Sequence, residues 1–355
     1  MSRKENCNTR VLVTGASGYI ATHVIQLLLK NGYLVRGTVR SLKCEKKIRP
    51  LRELYPPAQA NLELVEADLL QGDSWIKAVE GCTYVMHVAS PFPSVEPANP
   101  DEILKPAIEG TLAVLRAAHK AGCVKRIVLT SSSVAISGAG TGGKAVNEEH
   151  WTSADDDVST YYKSKTLAEK AAWDFVKENK SFELSAVNPG LVIGPVLHES
   201  DCTSGEVIMR MLKLQIPAVP DLCYSGVDVR DVAEAHLKAM IIPEAAGQRF
   251  GLCTRPISFL EIALMLREEF SPQGYWISAI PAPYWAVWAY SFFDKGARLT
   301  LRDFGRKYIV DGAKMRNVLG IKPIDMKKSV VDMAYSLIER GFVKKTRGYK
   351  GPCLK

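Results

Sequence analysis

Short apolar runs alternate with longer amphipathic stretches through the first 190 residues of the chain. The runs are rich in valine, leucine and isoleucine and predict strands over residues 10–14, 34–39, 62–66, 83–88, 126–130 and 183–187. Apolar residues at helical spacing predict helices over residues 19–30, 45–54, 74–79, 102–121 and 159–177. This alternation indicates the α/β class, with a doubly wound parallel sheet that carries helices on both faces.

The pattern becomes irregular after Pro189. Proline, glycine and aromatic residues cluster over residues 189–227 and 271–286, and a last helical pattern covers residues 328–340. We therefore expect a main domain over residues 8–190, to which the chain returns around 227–255. A smaller C-terminal lobe over residues 191–342 is expected to bind the substrate. The five basic residues after Phe342 have no acidic residue among them, which predicts a flexible, solvated tail over residues 343–355.

Composition places the 355-residue chain among ordinary globular proteins, since 47% of its residues are hydrophobic and 24% are charged. The net charge of +8 is only mildly basic, so no nucleic-acid partner is expected. Eight cysteines without a C-x-x-C pair favour the reduced thiols of a cytoplasmic protein over disulfides or a zinc site, and we expect no metal.

No membrane span or secretory signal is expected from the apolar segments. The first ten residues are polar, and the longest mostly apolar run, residues 284–293, is too short to cross a bilayer. The aromatic residues of that run suggest either a packed core or lid segment or contact with a bulky apolar substrate. We favour packing.

A glycine turn joins the first predicted strand to the first predicted helix, in the order Gly15-Ala-Ser-Gly18-Tyr-Ile-Ala21. Gly15 permits the tight turn, Gly18 lets the backbone approach a pyrophosphate, and Ala21 allows close packing of helix on strand. The free N–H groups at the start of the helix then face the phosphates. The segment predicts a dinucleotide site formed by Gly15, Ser17, Gly18, Tyr19 and Ile20.

The end of the second predicted strand indicates which dinucleotide binds. An NAD enzyme usually has an acidic residue there, whereas this chain has Arg40, with Lys43, Lys46 and Lys47 soon after. An arginine suits the 2′-phosphate of NADPH. One or two of the lysines are equally explained as the solvated face of a helix. Asp68, after the third strand, either contacts the adenine or caps a helix.

Tyr161 and Lys165 are four residues apart at the start of a predicted helix, so their side chains share one face. A nearby ammonium, aided by the positive charge of the oxidised nicotinamide, favours the phenolate. We therefore expect Lys165 to lower the pKa of Tyr161 and to hold the hydroxyls of the nicotinamide ribose. Tyr161 would then give its proton to a carbonyl oxygen that accepts a hydride at carbon. Ser132, at the end of the fifth strand, would hydrogen-bond the developing alkoxide. Spacing alone does not exclude Tyr162, although it has no cation four residues on.

These motifs resemble the extended short-chain dehydrogenase/reductases, and most of all their dihydroflavonol reductase branch. The resemblance covers residues 10–255 and includes Val-Thr-Gly-Ala-Ser-Gly-Tyr-Ile, Gly-Thr-Val-Arg40, Ala-Asp68-Leu, Val-Met-His-Val-Ala-Ser-Pro, Tyr161-Tyr-Lys-Ser-Lys-Thr-Leu-Ala-Glu and Asn-Pro189-Gly-Leu-Val-Ile-Gly-Pro. It implies a Rossmann fold, NADPH as the cofactor, and Ser132, Tyr161 and Lys165 as the catalytic triad.

The resemblance also implies contacts outside that triad. Those to the cofactor are implied for Arg40, Lys47, Asp68, Leu69, Val88, Ala89, Ser90, Pro189, Gly190, Leu191 and Val192. Those to the substrate are implied for Ser90, Ser137 and Tyr161. Flavonoid-reducing members usually have an asparagine where this chain has Ser137, and the glycine-rich insertion over residues 138–143 is unlike theirs. Ala107 stands where the wider superfamily often has an asparagine, so a proton relay through that position is not expected.

The function that fits these features is an NADPH-dependent, reversible reductase of a ketone or aldehyde, a monomer or homodimer with a small-molecule substrate. A hydroxysteroid dehydrogenase, or a nucleotide-sugar epimerase or dehydratase, is an alternative with the same Ser-Tyr-Lys chemistry. An epimerase usually retains NAD, which Arg40 disfavours. A non-catalytic, redox-sensing binding module is a further alternative, but such proteins typically lose the tyrosine–lysine pair.

Overall fold

A seven-stranded parallel sheet forms the centre of the protein, in a computed structural model that describes residues 6–91, 99–153, 155–198 and 202–352. Its strands are β1 (Arg10–Val13), β2 (Leu34–Val39), β3 (Leu62–Glu66), β4 (Tyr84–His87), β5 (Arg126–Thr130), β6 (Glu183–Pro189) and β9 (Arg249–Leu252). Their order is β3-β2-β1-β4-β5-β6-β9, and every neighbouring pair is parallel. The direction of winding reverses between β1 and β4, the point where ligands bind in such sheets.

Helices cover both faces of this sheet. They are α1 (Tyr19–Lys30), α2 (Glu45–Arg52), α3 (Ser74–Val79), α4 (Asp101–Ala121), the short α5 (Val134–Ser137), α6 (Thr160–Glu178) and α8 (Val229–Ile241). Alternate residues of β1 face opposite layers, since Val11 and Val13 pack with α1 and α8 while Leu12 packs with α3 and α4. The Rossmann-type fold class predicted from the sequence is confirmed, and the predicted elements differ from the observed ones by a few residues at most.

A smaller lobe is built around a second sheet of β7 (Leu191–Ile193), β8 (Cys223–Asp228), β10 (Arg255–Ser258) and β11 (Lys307–Tyr308). Its helices are α7 (Thr203–Leu212), α9 (Phe259–Phe270), α10 (Tyr284–Tyr290), α11 (Lys295–Thr300) and α13 (Met326–Glu339), whereas α12 (Ala313–Asn317) lies against β9 of the central sheet. The helices α7, α9 and α13 share one apolar core with Ile257 and Ile193 of the second sheet. The predicted division of the chain into domains stays a prediction.

The C-terminal segment lies against the smaller lobe. Val343 is buried, and the Tyr275 hydroxyl donates to the carbonyl oxygen of Lys344 at 3.1 Å. The ring of Tyr349 lies 6.4 Å from that of Tyr275, and Lys345 forms an ion pair of 2.7 Å with Glu339. Val343 and Tyr349 therefore pack on the lobe, while the basic side chains of this segment are exposed, and the flexibility of the tail stays a prediction. Residues 353–355 lie outside the described residues.

The aromatic run over residues 284–293 is mostly exposed. It forms α10 and the turn after it, where Val287 and Ser291 are buried while Trp285, Trp288, Phe292 and Phe293 are exposed. The expectation that its aromatic side chains pack in a core is therefore wrong. No helix of the described residues is long and apolar enough to cross a bilayer.

Candidate active site

The turn between β1 and α1 has the backbone that its glycines predict. Gly15 has φ +66°, in the left-handed region, and a Cβ at this position would lie 3.1 Å from the Cβ of Ala89. The N–H of Gly15 donates to Oγ1 of Thr38 at 3.0 Å, and that of Gly18 donates to the carbonyl oxygen of Gly15 at 2.9 Å. Both the conformation and the closeness of the β4 loop require glycine at position 15.

The start of α1 fits the pyrophosphate of a dinucleotide. Gly18 precedes the helix, and none of the described side chains caps its first turn, so backbone N–H groups there can bind phosphate oxygens. Ser17 and Ile20 flank this end of the helix. The Tyr19 ring turns towards the smaller lobe, where its hydroxyl donates to the carbonyl oxygen of Gly194 at 2.7 Å. Tyr19 therefore has only its backbone to offer the cofactor.

The residues predicted to bind the adenosine end lie near the ends of β2 and β3. Arg40 follows β2 and Lys47 lies on α2, and both are exposed. The Asp68 carboxylate accepts the N–H of Leu70 at 2.8 Å, so it stabilises a turn, whether or not it also contacts adenine. Leu69 packs closely on α4, where a Cβ at Gly110 would lie 2.9 Å from its side chain.

The segment that follows β4 lies beside the glycine turn between β1 and α1. The N–H of Ala89 donates to Oγ1 of Thr14 at 2.9 Å, and that oxygen lies 3.0 Å from Nδ1 of His87. These contacts hold the segment with Val88, Ala89 and Ser90 beside Gly15. Burial, aided by the charge of Lys165, lowers the pKa of His87 to about 3, so this imidazole is neutral at physiological pH.

The structure brings together the three residues predicted to be catalytic. Ser132 follows β5, and Tyr161 and Lys165 lie on the first turns of α6, whose N-cap is Ser159. A hydrogen bond joins the hydroxyls of Ser132 and Tyr161, and Nζ of Lys165 lies 6.0 Å from the centre of the Tyr161 ring. Lys165 also donates to the carbonyl oxygen of Thr130 at 3.5 Å. The group lies at the carboxyl end of β5, where ligands bind in sheets of this type.

Burial controls the ionisation of this group. It raises the pKa of Tyr161 to about 12, and the hydrogen bond from Ser132 only partly opposes the rise. Burial also lowers the pKa of Lys165 to about 8, against the opposing charge of Glu169. In the protein alone, desolvation therefore dominates the pKa of the phenol, and its lowering by Lys165 together with an oxidised nicotinamide stays a prediction. The cost of desolvating a phenolate exceeds the attraction of an ammonium 6.0 Å from the ring.

A buried network around Glu169 lies beneath the site, and the sequence analysis missed it. The Glu169 carboxylate accepts hydrogen bonds from Ser131 at 2.5 Å, Asn188 at 2.8 Å and Arg249 at 2.6 Å. It therefore links α6 to the region of β5, β6 and β9, which fixes the strand ends below Ser132 and Lys165. In the sequence, the feature that could have indicated this network is the carboxylate of Glu169, one helical turn after Lys165. Because Ser131 is bound to this network, the geometry favours Ser132 as the hydroxyl that meets a substrate.

A second cluster, also missed, ties α6 to the smaller lobe. The Asp303 carboxylate accepts three phenolic hydrogen bonds, from Tyr162 at 3.0 Å, Tyr224 at 2.9 Å and Tyr308 at 2.7 Å. Since Tyr162 is bound to Asp303, its hydroxyl is engaged away from the Ser132–Lys165 pair. The two adjacent tyrosines therefore differ in their surroundings, since Tyr161 lies beside Ser132 and Lys165 whereas Tyr162 anchors the smaller lobe.

The residues predicted to line the nicotinamide form the junction of the two sheets. Pro189 ends β6, and a Cβ at Gly190 would lie only 1.9 Å from the carbonyl oxygen of Ser225, so glycine is required for the crossing to β7. Leu191 and Val192 follow in β7 and are half-buried. Ser137, at the end of α5, is buried, and its hydroxyl has no hydrogen-bond partner among the described residues. Such a group is satisfied if a ligand binds it.

Comparison with known proteins agrees with this arrangement. Residues 11–250 match the NAD dependent epimerase/dehydratase family. The chain belongs to this family. It is 39% identical to the cinnamoyl-CoA reductase CAD2 of Medicago truncatula over 75% of this chain and 82% of that one. It is 35% identical to tetraketide alpha-pyrone reductase 1 of Arabidopsis thaliana over 94% and 97% of the two chains.

A solved structure is also similar. The yeast methylglyoxal/isovaleraldehyde reductase Gre2, complexed with NADPH, has a TM-score of 0.76 and 30% identity over 93% of this chain and 98% of that one. These findings confirm the predicted membership of the extended short-chain dehydrogenase/reductases and the cofactor NADPH. The chain is an NADP-dependent oxidoreductase, so its interpretation as a binding module without catalysis is wrong. The roles of the individual site residues stay predictions.

Proposed function

We propose that this oxidoreductase reduces a small ketone or aldehyde to an alcohol in the cytoplasm, reversibly, with Tyr161 as proton donor. The observation that carries the proposal is the position of Tyr161, whose hydroxyl lies within the influence of the Ser132 hydroxyl and whose ring centre lies 6.0 Å from Nζ of Lys165. Two hydroxyls that meet at one point can both bind the oxygen of a carbonyl group there.

NADPH, when bound, supplies the hydride. Its pyrophosphate would be held by the turn from Gly15 to Ile20, its 2′-phosphate by Arg40 and Lys47, and its nicotinamide by residues 189–192. Ser132 donates to the substrate oxygen and stabilises the charge that develops on it. Tyr161 gives its proton to that oxygen, which completes the alcohol.

Lys165 stabilises the phenolate that remains on Tyr161. The high pKa of Tyr161 keeps the phenol protonated before reduction. The ammonium of Lys165 stabilises the phenolate that forms until a proton from solvent restores the phenol. Ser137 offers a buried, unused hydroxyl for a polar group of the substrate, and Ser90 lies in the segment beside Gly15. We infer that the smaller lobe covers the substrate, because the Asp303 cluster holds this lobe against α6.

A screen of carbonyl compounds tests the proposal directly. Aromatic aldehydes, diketones, steroids and flavonoids are each offered with NADPH, and the loss of NADPH absorbance is followed. We expect turnover with at least one class and alcohol as the product. If none is reduced, while a nucleotide sugar is isomerised by protein that retains its dinucleotide through gel filtration, the epimerase alternative is correct instead.

Arg40 is predicted to select NADPH over NADH. Arg40→Ala should weaken NADPH binding roughly 10- to 100-fold, the loss of about 1.5–3 kcal/mol from a charge-assisted hydrogen bond, and leave NADH binding nearly unchanged. Dissociation constants measured by titration of each cofactor give the comparison. Arg49→Ala is the matched control, because Arg49 is also exposed but pairs with Glu53 at 2.9 Å. Equal affinity of the parent protein for both cofactors would exclude this role for Arg40.

Ser132 is predicted to stabilise the developing alkoxide. Ser132→Ala should lower kcat by about a hundredfold, as the loss of one oxyanion donor does. Ser131→Ala is the control, since its hydroxyl serves Glu169: it should cost about 1.5–3 kcal/mol of unfolding free energy and leave kcat near that of the parent. A larger loss of kcat in the Ser131 variant would assign the catalytic hydroxyl to Ser131.

A further inference from the structure

An exposed aromatic face lies on α10 and the turn after it. We define the aromatic face as Tyr284, Trp285, Trp288, Phe292 and Phe293. The side chains of Trp285, Trp288 and Phe293 are 70%, 51% and 89% exposed. Each aromatic side chain has roughly 150–250 Å² of surface. Because about half or more of each is exposed, the five together expose several hundred Å², as much as the largest apolar patch of a typical monomer, roughly 300–600 Å². A patch of this kind marks an interaction surface.

The local fold turns this face outwards. Val287 and Ser291, one turn apart, point into the lobe, whereas Tyr284, Trp288 and Phe292 recur at every fourth position on another side. The rings of Trp288 and Phe292 meet edge to face at 5.0 Å, and Tyr284 contacts Phe304 at 5.4 Å. These contacts stabilise the face in its outward position.

The charges around the face are mostly positive. Residues 271–293 contain no charged side chain, and Lys295, Arg298 and Arg302 follow within the next turns. Asp294 and Asp303, the acidic residues among these basic ones, both bind other residues of the protein. Asp294 caps α11 and pairs with Arg210, and Asp303 accepts the three tyrosine hydroxyls.

Among the side chains whose exposure the structure describes, Arg298 and Arg302 are the first exposed charges after the face. Arg302 and Arg306 share the exposed carboxylate of Asp157, at 3.7 Å and 3.4 Å, and Arg298 forms no ion pair among the described residues. One carboxylate shared between two guanidinium groups leaves net positive charge beside the aromatic face.

We propose that the aromatic face docks the protein on the surface of a bilayer that contains anionic phospholipids. Tryptophan and tyrosine have amphipathic rings that favour the lipid–water interface. Basic side chains beside an apolar face add attraction to anionic headgroups. If two copies paired through this face, Arg298 and Arg302 of both copies would be brought together, and their repulsion disfavours such a dimer. The proposal does not depend on the proposed reaction.

Flotation of the full chain with vesicles tests the proposal. We expect the protein to bind vesicles of phosphatidylcholine with phosphatidylserine, and to bind vesicles of phosphatidylcholine alone roughly tenfold less tightly. The double variant Trp285→Ala, Trp288→Ala should lose binding to both. The double variant Arg298→Glu, Arg302→Glu should lose the preference for phosphatidylserine.

Two control variants match these changes elsewhere on the surface. Leu264→Ala with Ile241→Ala removes exposed apolar side chains from α9 and the end of α8, and Arg116→Glu with Lys120→Glu reverses two exposed charges on α4. Both should bind vesicles as the parent does, and all variants should keep the parent's unfolding midpoint. The proposal is overturned if the parent binds neither vesicle. It is also overturned if light scattering shows a dimer that the tryptophan variant abolishes while vesicle binding is unchanged.

Discussion

Tyr161→Phe is expected to lower kcat by roughly 10³-fold, within the range that a positioned proton donor contributes. The variant removes one hydroxyl and keeps the ring, so the packing of α6 and the affinity for NADPH should change little. Single-turnover measurements with saturating NADPH separate the chemical step from binding. Cofactor titration shows whether the site is intact. A variant with the parent's kcat would remove the phenol from the mechanism.

Tyr162→Phe is the matched control for that experiment. Its hydroxyl donates to Asp303 at 3.0 Å, away from the Ser132–Lys165 pair, so kcat should stay within a few-fold of the parent. The lost hydrogen bond to a carboxylate should instead cost about 1.5–3 kcal/mol of unfolding free energy. If the Tyr162 variant lost turnover and the Tyr161 variant did not, the assignment of the two tyrosines would have to be exchanged.

The parts of the site that follow from local pattern were predictable. β2 and β5 are short segments rich in valine, leucine and isoleucine, and they span the residues predicted for them. The left-handed Gly15 and the shared face of Tyr161 and Lys165 also depend only on neighbours in sequence. These features need no knowledge of the tertiary structure.

The rest depends on contacts between distant residues. Asp303 meets Tyr162 across 141 positions of the chain, and Arg249 meets Glu169 across 80, and no local pattern indicates either pair. The direction of the Tyr161 pKa depends on how completely the folded chain excludes water, which spacing does not reveal. Apolar composition likewise does not separate an exposed aromatic helix such as α10 from a core helix.

Lys165→Met should abolish most of the activity and at the same time stabilise the protein. Burial lowers the pKa of Lys165 from its usual 10.5 to about 8, so the folded state binds its proton less tightly than the unfolded state does. A fall of this size corresponds to about 3 kcal/mol of destabilisation at neutral pH. Methionine removes that cost, and the lost hydrogen bond to Thr130, at 3.5 Å, is long and weak.

The dependence on pH distinguishes this explanation from a general gain in packing. Below pH 8 the folded protein holds Lys165 as an ammonium and bears the full cost, which declines between pH 8 and 10.5 and vanishes above. The stability advantage of the methionine variant, measured by denaturant unfolding, should therefore shrink over that interval. In the parent, kcat for reduction should fall as the pH rises through about 8, because the ammonium that supports Tyr161 is lost. A stability advantage that stays constant from pH 7 to 10.5 would show that Lys165 is not buried as a charge. A methionine variant as active as the parent would show that Lys165 is not needed for turnover.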